Sequence, residues 1–344
     1  VKAGVIGATG YGGAELLRIL QSHPTFQIES VYSSSQQGKS IVDHYPHLTD
    51  IVPMTLEEID PAAIAQKLDI VFLATPSGVS SEIAPLLLKE GCTVIDLSGD
   101  FRLKDINDYE DWYKKKPAPQ EWVDQAVYAL PELNRSSIKD TKFISNPGCY
   151  STATLLGLAP LVRQGLIEEK SVIVDAKSGV SGAGQTASFH TIYNELNENF
   201  KIYKVNAHQH IPEIEQMLSG LGYESPITFN SHLVPMTRGI MATIYATLKS
   251  DISQEKINKV YNDFYEDEPF IRVRKNGIFP ATKEVYGSNF CDMGISVDTR
   301  TGRVTVVSVI DNLMKGAAGQ AVQNANILFG LEETAGLHFI PVYP

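Results

Sequence analysis

The sequence predicts an α/β chain: a doubly wound parallel sheet first, then an α+β domain built on a mixed sheet. Three observations carry this. Strand and helix patterns alternate up to Pro147, the rhythm of consecutive βαβ units. The strand candidates there are continuous apolar runs, DIVFLA at 69–74 and TVIDL at 93–97. They lack polar alternation, as strands covered on both faces should. After Pro147 the strand candidates lengthen and helices become sparse, so the layering must change.

In chain order, residues 3–6 form a short apolar strand, 13–22 a helix and 26–33 the next strand. A helix at 79–89 follows DIVFLA, and KFIS at 142–145 ends the series. Beyond the turn, 150–163 reads as an amphipathic helix. Strands are expected at 171–177, 227–234, 240–248, 292–297 and 303–309, with one clear helix among them at 254–265. The last helix, 315–329, gathers Ala317, Ala318, Ala321, Ala325 and Leu328 on a small-residue face suited to packing back on the first domain. The expected division is therefore 1–147, completed by 313–344, around a second domain at 148–312.

Composition narrows the function. The chain has 344 residues, 43% hydrophobic and 20% charged, enough for two ordinary cores. A formal net charge of -11 repels nucleic-acid phosphates, and Lys114, Lys115 and Lys116 make too short a basic run to reverse that. No apolar run reaches the length that spans a bilayer, about eighteen residues, so no membrane partner is expected. The chain opens directly on a strand, and no leader is expected. Cys92, Cys149 and Cys291 are odd in number and widely spaced, which fits neither a disulfide framework nor a metal site. A reducing compartment, most simply the cytoplasm, follows.

Between the first strand and the first helix lies Gly7-Ala8-Thr9-Gly10-Tyr11-Gly12-Gly13. Gly7, Gly10 and Gly13 supply a tight turn and close backbone approach to a pyrophosphate, ahead of a helix N-terminus that favours negative charge. Strand before and helix after are the required context, so the first domain reads as Rossmann-type. Thr9, Tyr11 and Gly12 belong to the same loop. An NAD-specific site usually has a carboxylate at the end of the second strand. Here the chain runs from Val31 to Lys39 with none, and Ser33, Ser35 and Lys39 suit a 2′-phosphate, so the cofactor is expected to be NADP(H). Thr75 and Ser77, past the end of DIVFLA, border the cofactor crevice or cap the next helix.

Ser145-Asn146-Pro147-Gly148-Cys149-Tyr150 ends a strand, turns the chain and opens a helix on Cys149. Helix N-termini favour thiolate, the reactive form of cysteine, and their free N–H groups can hold an oxyanion. A thiol nucleophile in a nicotinamide protein points to one chemistry: attack on an activated acyl carbon, a thioester, and reduction to an aldehyde. Cys92 and Cys291 lie in apolar runs and read as core. His208 and His210, two apart in an extended segment before a helix, present to one side and are the candidate acid/base pair. His210 is favoured and His208, oriented by Glu213, supports it, but the spacing does not rank them firmly. Arg102 follows the fourth parallel strand and Arg238 lies between two strands of the second domain. Their planar forks suit phosphate or carboxylate. The loop Lys177 to Gly184 can fold over a dinucleotide through Ser178, Gly179 and Gly182.

On these segments the chain resembles the N-acetyl-gamma-glutamyl-phosphate reductase family. The carriers are GATGYGGAEL at 7–16, LSGDFRL at 97–103, SNPGCY at 145–150, KSGVSGAG at 177–184, HQHIPEIEQ at 208–216 and DNLMKGAAGQAVQNAN at 311–326. The family is similar to aspartate-semialdehyde dehydrogenases in fold and chemistry. The resemblance implies Cys149 as nucleophile, the His208–His210 segment as acid/base, Arg102 as phosphate binder, and Asn312 as partner of the nicotinamide carboxamide. Asn146, Arg238 and Glu213 join Arg102 as candidate substrate-binding residues. It also implies an N-acetyl-gamma-glutamyl phosphate substrate, a second domain used for catalysis and assembly, and a homo-oligomer, dimer or tetramer. Many members have Pro after the aromatic residue; Ser151 stands here and changes the helix entry rather than the chemistry.

Overall fold

In the computed structural model, which describes all 344 residues, the N-terminal sheet has seven strands. They are β1 (Lys2–Ile6), β2 (Gln27–Tyr32), β3 (Leu56–Glu57), β4 (Ile70–Leu73), β5 (Thr93–Asp96), β6 (Val127–Tyr128) and β7 (Phe143–Ser145). Their order is β3-β2-β1-β4-β5-β7-β6, and every pairing is parallel. The order reverses beside β1, so the β1 and β4 ends form the switch point where doubly wound sheets bind ligands. β4 and β5 are wholly buried, which explains their unbroken apolar runs.

The chain divides into two compact units, Val1–Gly148 with Ala317–His338, and Cys149–Gly316 with Phe339–Pro344. Residues 313–316 and 339–344 thus group with the second unit rather than the first. The reason is local bonding: Met314–Ala318 is a π-turn whose Gly316 N–H donates to Asp311 O at 3.0 Å, and in the tail Val342 N–H donates to Tyr286 O at 2.8 Å. The helix Gly319–Leu328 returns to the first unit and packs on helices Tyr11–Leu20 and Pro131–Ile138. There the buried His23 ring meets Asn326 Oδ1 through Nε2 at 3.0 Å and accepts Thr25 and Phe26 N–H at Nδ1.

The second unit also has a seven-stranded sheet: β8 (Ile173–Ser178), β9 (Lys201–Tyr203), β10 (Thr228–Leu233), β11 (Ile240–Thr247), β12 (Ile271–Val273), β13 (Cys291–Asp298) and β14 (Arg303–Ile310). Its order is β12-β13-β14-β11-β8-β10-β9. β12–β13 and β8–β10 are parallel and the rest antiparallel, so the sheet is mixed. Alternate residues of β8 and β10 are buried, which directs Val174, Ala176, Phe229 and Leu233 to a helical layer. That layer is Cys149–Arg163, His210–Gly220 and Gln254–Phe264. Cys149–Arg163 is buried on every side, not amphipathic, because it lies between the sheet and the other two helices. Its Leu155, Leu156, Leu158 and Leu161 each contribute about 2 kcal/mol by leaving water. Gly157 brings the helix close: a Cβ there would lie 2.6 Å from Ile244 Cδ1.

Candidate active site

The dinucleotide loop is built as its glycines require. Gly7 has φ +84°, and a Cβ on it would lie 2.4 Å from Ala74 O; one on Gly13 would lie 2.4 Å from Gly7 O. Protein atoms therefore demand glycine at both positions. At Gly10 and Gly12 an added Cβ meets nothing nearer than 3.5 Å, so the protein does not require glycine there. A phosphate lying against the backbone does. Helix Tyr11–Leu20 starts at Gly10 with no side-chain cap, which leaves its first N–H groups to an anion. Thr9 Oγ1 and the buried Ser33 Oγ are 3.4 Å apart, and Tyr45 donates to Thr9 O at 2.8 Å. Ser35 and Lys39 are exposed beyond them. These residues fit a dinucleotide carrying a 2′-phosphate. Thr75 shares a 2.8 Å hydrogen bond with Ser80, and Ser77 O accepts from Lys115.

Beyond β5, Asp100 fixes the turn before helix Ser80–Lys89. It accepts Gly78 and Ser81 N–H at 2.7–3.0 Å and the Tyr109 hydroxyl at 2.7 Å. Its neighbour Asp96 is fully buried. Burial first, and the charge of Asp100 second, push its pKa up to about 6. Arg102 is buried and spends Nε on Asn146 O at 2.9 Å and Nη2 on Leu97 O at 2.8 Å. Asn146 is buried too. Its N–H donates to Asp96 O at 2.8 Å, its Nδ2 to Ala317 O at 3.1 Å, and its Oδ1 accepts from Asn324 Nδ2 at 3.0 Å. Every polar group of Asn146 thus has at least one protein partner, which holds the side chain in place.

In the second unit Cys149 is the first residue of its helix and half-buried, whereas Cys92 and Cys291 are buried. Burial pushes the Cys92 thiol up to about 11, which keeps it inert. Next to Cys149 in sequence, Tyr150 lies at the centre of an aromatic cluster. Its ring centroid is 5.2 Å from His208, 5.9 Å from His210 and 5.5 Å from Phe229. The two imidazoles are 4.8 Å apart. The Tyr150 and Tyr203 hydroxyls share a 3.1 Å hydrogen bond. Burial raises both tyrosine pKa values, and negative charge at Cys149 adds to the rise in each, which places the sulfur in their electrostatic neighbourhood.

The two histidines differ. His208 Nδ1 accepts the His210 backbone N–H at 3.2 Å, which fixes the proton of the neutral ring on Nε2. Burial, then His210 and Lys204, drive the His208 pKa down to about 2 against the opposing pull of Glu213. His210 Nε2 lies 4.0 Å from Oε2 of the buried Glu213, one helical turn on.

The remaining expected residues are held by their own surroundings. Arg238 pairs with the buried Asp311, Nε to Oδ2 at 3.0 Å and Nη2 to Oδ1 at 3.1 Å, and lies over Tyr286. Asn312 Oδ1 accepts Gly239 N–H at 2.7 Å and its Nδ2 donates to Ser181 Oγ at 3.0 Å. Ser178 donates to Gly179 O at 2.9 Å. A Cβ on Gly179 would lie 2.7 Å from Thr237 O, and one on Gly182 2.9 Å from Ser178 Oγ. The loop is thus stitched to the Arg238 turn.

Sequence reasoning missed Tyr203, Asp96 and Asn324. Tyr203 lies on a three-residue edge strand without an apolar pattern. Asn324 sits inside a helix that reads as a packing face. Only its place as the one carboxylate inside the apolar run TVIDL was a signal for Asp96.

The family model described as semialdehyde dehydrogenase, NAD binding domain, matches residues 2–141. The one described as semialdehyde dehydrogenase, dimerisation domain, matches 149–312. Among solved structures, aspartate semialdehyde dehydrogenase II from Vibrio cholerae superposes with a TM-score of 0.71 at 20% identity, over 96% of this chain and 98% of that one. Aspartate semialdehyde dehydrogenase with NADP from Candida albicans gives 0.72 at 18%, over 95% and 98%. At such identities the likeness shows the fold alone. Sequence relatives are much nearer. An N-acetyl-gamma-glutamyl-phosphate reductase of Geobacillus sp. (strain WCH70) is 60% identical over 99% of both chains. One of Bacillus cereus (strain AH187) is 57% identical over the full length of both. Identity at that level over essentially the full length of both chains means that the chain belongs to the N-acetyl-gamma-glutamyl-phosphate reductase family.

Proposed function

We propose that the chain is an NADPH-dependent reductase that converts N-acetyl-gamma-glutamyl phosphate into N-acetylglutamate semialdehyde and phosphate, a step of arginine biosynthesis. The observation that carries the chemistry is Cys149, a half-buried thiol on the first residue of a buried helix, adjoining a cluster that holds two imidazoles. The acyl group is taken from the relatives.

The first unit holds the dinucleotide on Gly7, Thr9, Gly10, Tyr11, Gly12 and Gly13, with Ser33, Ser35 and Lys39 toward the 2′-phosphate and Thr75 and Ser77 along the crevice. Ser178, Gly179, Gly182 and Asn312 are assigned to the cofactor from the family pattern of their segments. When bound, NADPH supplies the hydride. The second unit carries the sulfur. Cys149 Sγ attacks the acyl carbon, and the carbon–oxygen bond to phosphate breaks with its electron pair leaving on phosphate. N–H groups of the first helical turn stabilise negative charge on the acyl oxygen. Later the carbon–sulfur bond breaks, and Cys149 leaves as thiolate when the aldehyde forms.

His208, neutral and with Nδ1 occupied, is a hydrogen-bond donor through Nε2 and a poor base. Proton transfer therefore falls to His210, steadied by Glu213. Arg102 and Arg238 keep their assignment to the phosphate and carboxylate of the substrate.

Cys149→Ser should lower turnover by at least about a thousandfold and leave NADP affinity unchanged. The assay is phosphate-dependent NADP reduction with N-acetylglutamate semialdehyde, beside the same assay with aspartate semialdehyde. Undiminished turnover in the serine variant would end the nucleophile reading. Activity on the non-acetylated substrate alone would end the substrate reading.

We also infer a homo-oligomer, working in a reducing compartment such as the cytoplasm. Phe189, Tyr193 and Phe200 are 66%, 74% and 58% exposed within one segment of the second unit, an apolar surface that self-association would cover. Cysteines that form no disulfide with one another fit that compartment. Sedimentation should give a dimer or tetramer, and Tyr193→Asp should weaken it; a stable monomer at micromolar concentration would refute the assembly.

A further inference from the structure

We propose that Asn324, acting through Asn146, is a positioning residue for the nucleophile. The inference rests on Cys149 being that nucleophile. Three buried side-chain amides run head to tail. Gln320 Nε2 donates to Asn324 Oδ1 at 3.4 Å, Asn324 Nδ2 to Asn146 Oδ1 at 3.0 Å, and Asn146 Nδ2 to Ala317 O at 3.1 Å. All three residues are 0% exposed. Ala317 stands three residues before Gln320, so the chain of amides starts and ends on one turn and closes around Asn146. Aligned donors and acceptors polarise one another, and in a dry interior each bond is costly to break.

The geometry around Asn146 says what this clasp holds. The second hydrogen of Asn324 Nδ2 goes to Ala129 O at 3.0 Å, and Ala129 N–H donates to Ser145 O at 3.1 Å, so β6 and β7 are fastened together there. The Asn146 carbonyl accepts Arg102 Nε. Every polar atom of the residue three before Cys149 is therefore fixed. The other segment caught by the clasp is the π-turn. Its Gly316 packs on the nucleophile, since a Cβ there would lie 2.8 Å from Cys149 Cβ. The chain leaves the first unit at Gly148 and re-enters it at Ala317. Inside that unit the Asn146 amide joins the segments on which both passages end. Packing alone would not need polar side chains at these positions; an apolar helix would bury as well. An amide chain fixes direction and register, which a nucleophile requires and a core does not.

Asn324→Asp keeps the shape and replaces the donor by an oxygen facing Asn146 Oδ1 and Ala129 O. Its kcat should fall by about tenfold or more with KM for NADP unchanged, in line with the sensitivity of near-attack geometry to small displacements. The rate of Cys149 alkylation by iodoacetamide, mapped by peptide mass spectrometry, should change by at least about threefold. An Asn146→Ala and Asn324→Ala double variant should lose no more kcat than the worse single one, because the two act in series. Should Asn324→Asp fail to fold, Gln320→Ala removes the first donor without adding charge, and its kcat should fall by about twofold to threefold. A folded variant with lowered thermal midpoint but wild-type kcat and alkylation rate would overturn the inference, as would strictly additive losses. A wild-type chain in which iodoacetamide spares Cys149 would instead overturn the nucleophile reading itself.

Discussion

Gly316 shows at the residue scale how closely Cys149 is seated. An added Cβ would lie 2.8 Å from Cys149 Cβ and 3.3 Å from Ile310 Cδ1. The Ile310 methyl can swing away, but Cys149 Cβ is tied to its backbone, whose Cα is itself 3.3 Å from the added atom, so Gly316→Ala must displace the helix start. Overpacking of this kind costs about 1–3 kcal/mol. Gly316→Ala should lower the thermal midpoint and reduce kcat by about tenfold or more, with NADP affinity unchanged; wild-type kinetics would contradict this. The sequence makes Cys149 legible because strand end, Pro-Gly turn and helix start coincide within a few residues. It makes His208 and His210 legible by their spacing. Gly316, Tyr203 and Asn324 are opaque for the opposite reason: each matters through a partner distant in the chain, and no local pattern encodes such a pair. Asn146 is an intermediate case. The family resemblance makes it a candidate substrate residue, and only the structure shows that its amide also bonds Ala317 and Asn324.

Elements were legible where a single period or composition dominates. β4 and β5 are buried runs bounded by turns, and the switch to alternating burial in β8 and β10 announces a sheet covered by helices on one face. Three kinds of element escaped. Leu56–Glu57 and Val127–Tyr128 are two-residue strands at the two sheet edges, too short to carry any period. Cys149–Arg163 reads as amphipathic, but its surroundings, not its pattern, decide that all its faces are covered. Residues 315–329 read as one helix, whereas the first turn is a π-turn and the α-helix begins at Gly319. Within that turn Gly316 packs on Cys149 and Ala317 O accepts from Asn146. The local irregularity thus serves the site, as such bulges often do.

Across the whole molecule, two buried histidines and one buried carboxylate set how stability follows pH. Burial lowers the His23 pKa and drives that of His208 down to about 2, so the His208 ring stays neutral when folded. Unfolded, each takes a proton near pH 6.5. Their contribution is complete above 6.5 and is lost as pH falls below it. By pH 5 the unfolded imidazole of His208 has gained about 2 kcal/mol of protonation that the folded ring cannot match. Asp96 works the other way. Its folded pKa of about 6 lies above the ordinary carboxylate value, so its ionisation costs stability above pH 6, and lowering the pH from 7 to 5 returns at most about 1.4 kcal/mol. Two histidines outweigh one aspartate, and net stability should fall between pH 6.5 and 5. Urea denaturation at pH 7, 6 and 5 measures this, with His208→Gln flattening the decline and Asp96→Asn steepening it. A stability that rose toward pH 5 in the wild-type chain, and still rose in the Asp96→Asn variant, would show that the imidazoles carry charge in the folded state. His208 would then not be the neutral Nε2 donor proposed above, and the ground for assigning proton transfer to His210 would be gone.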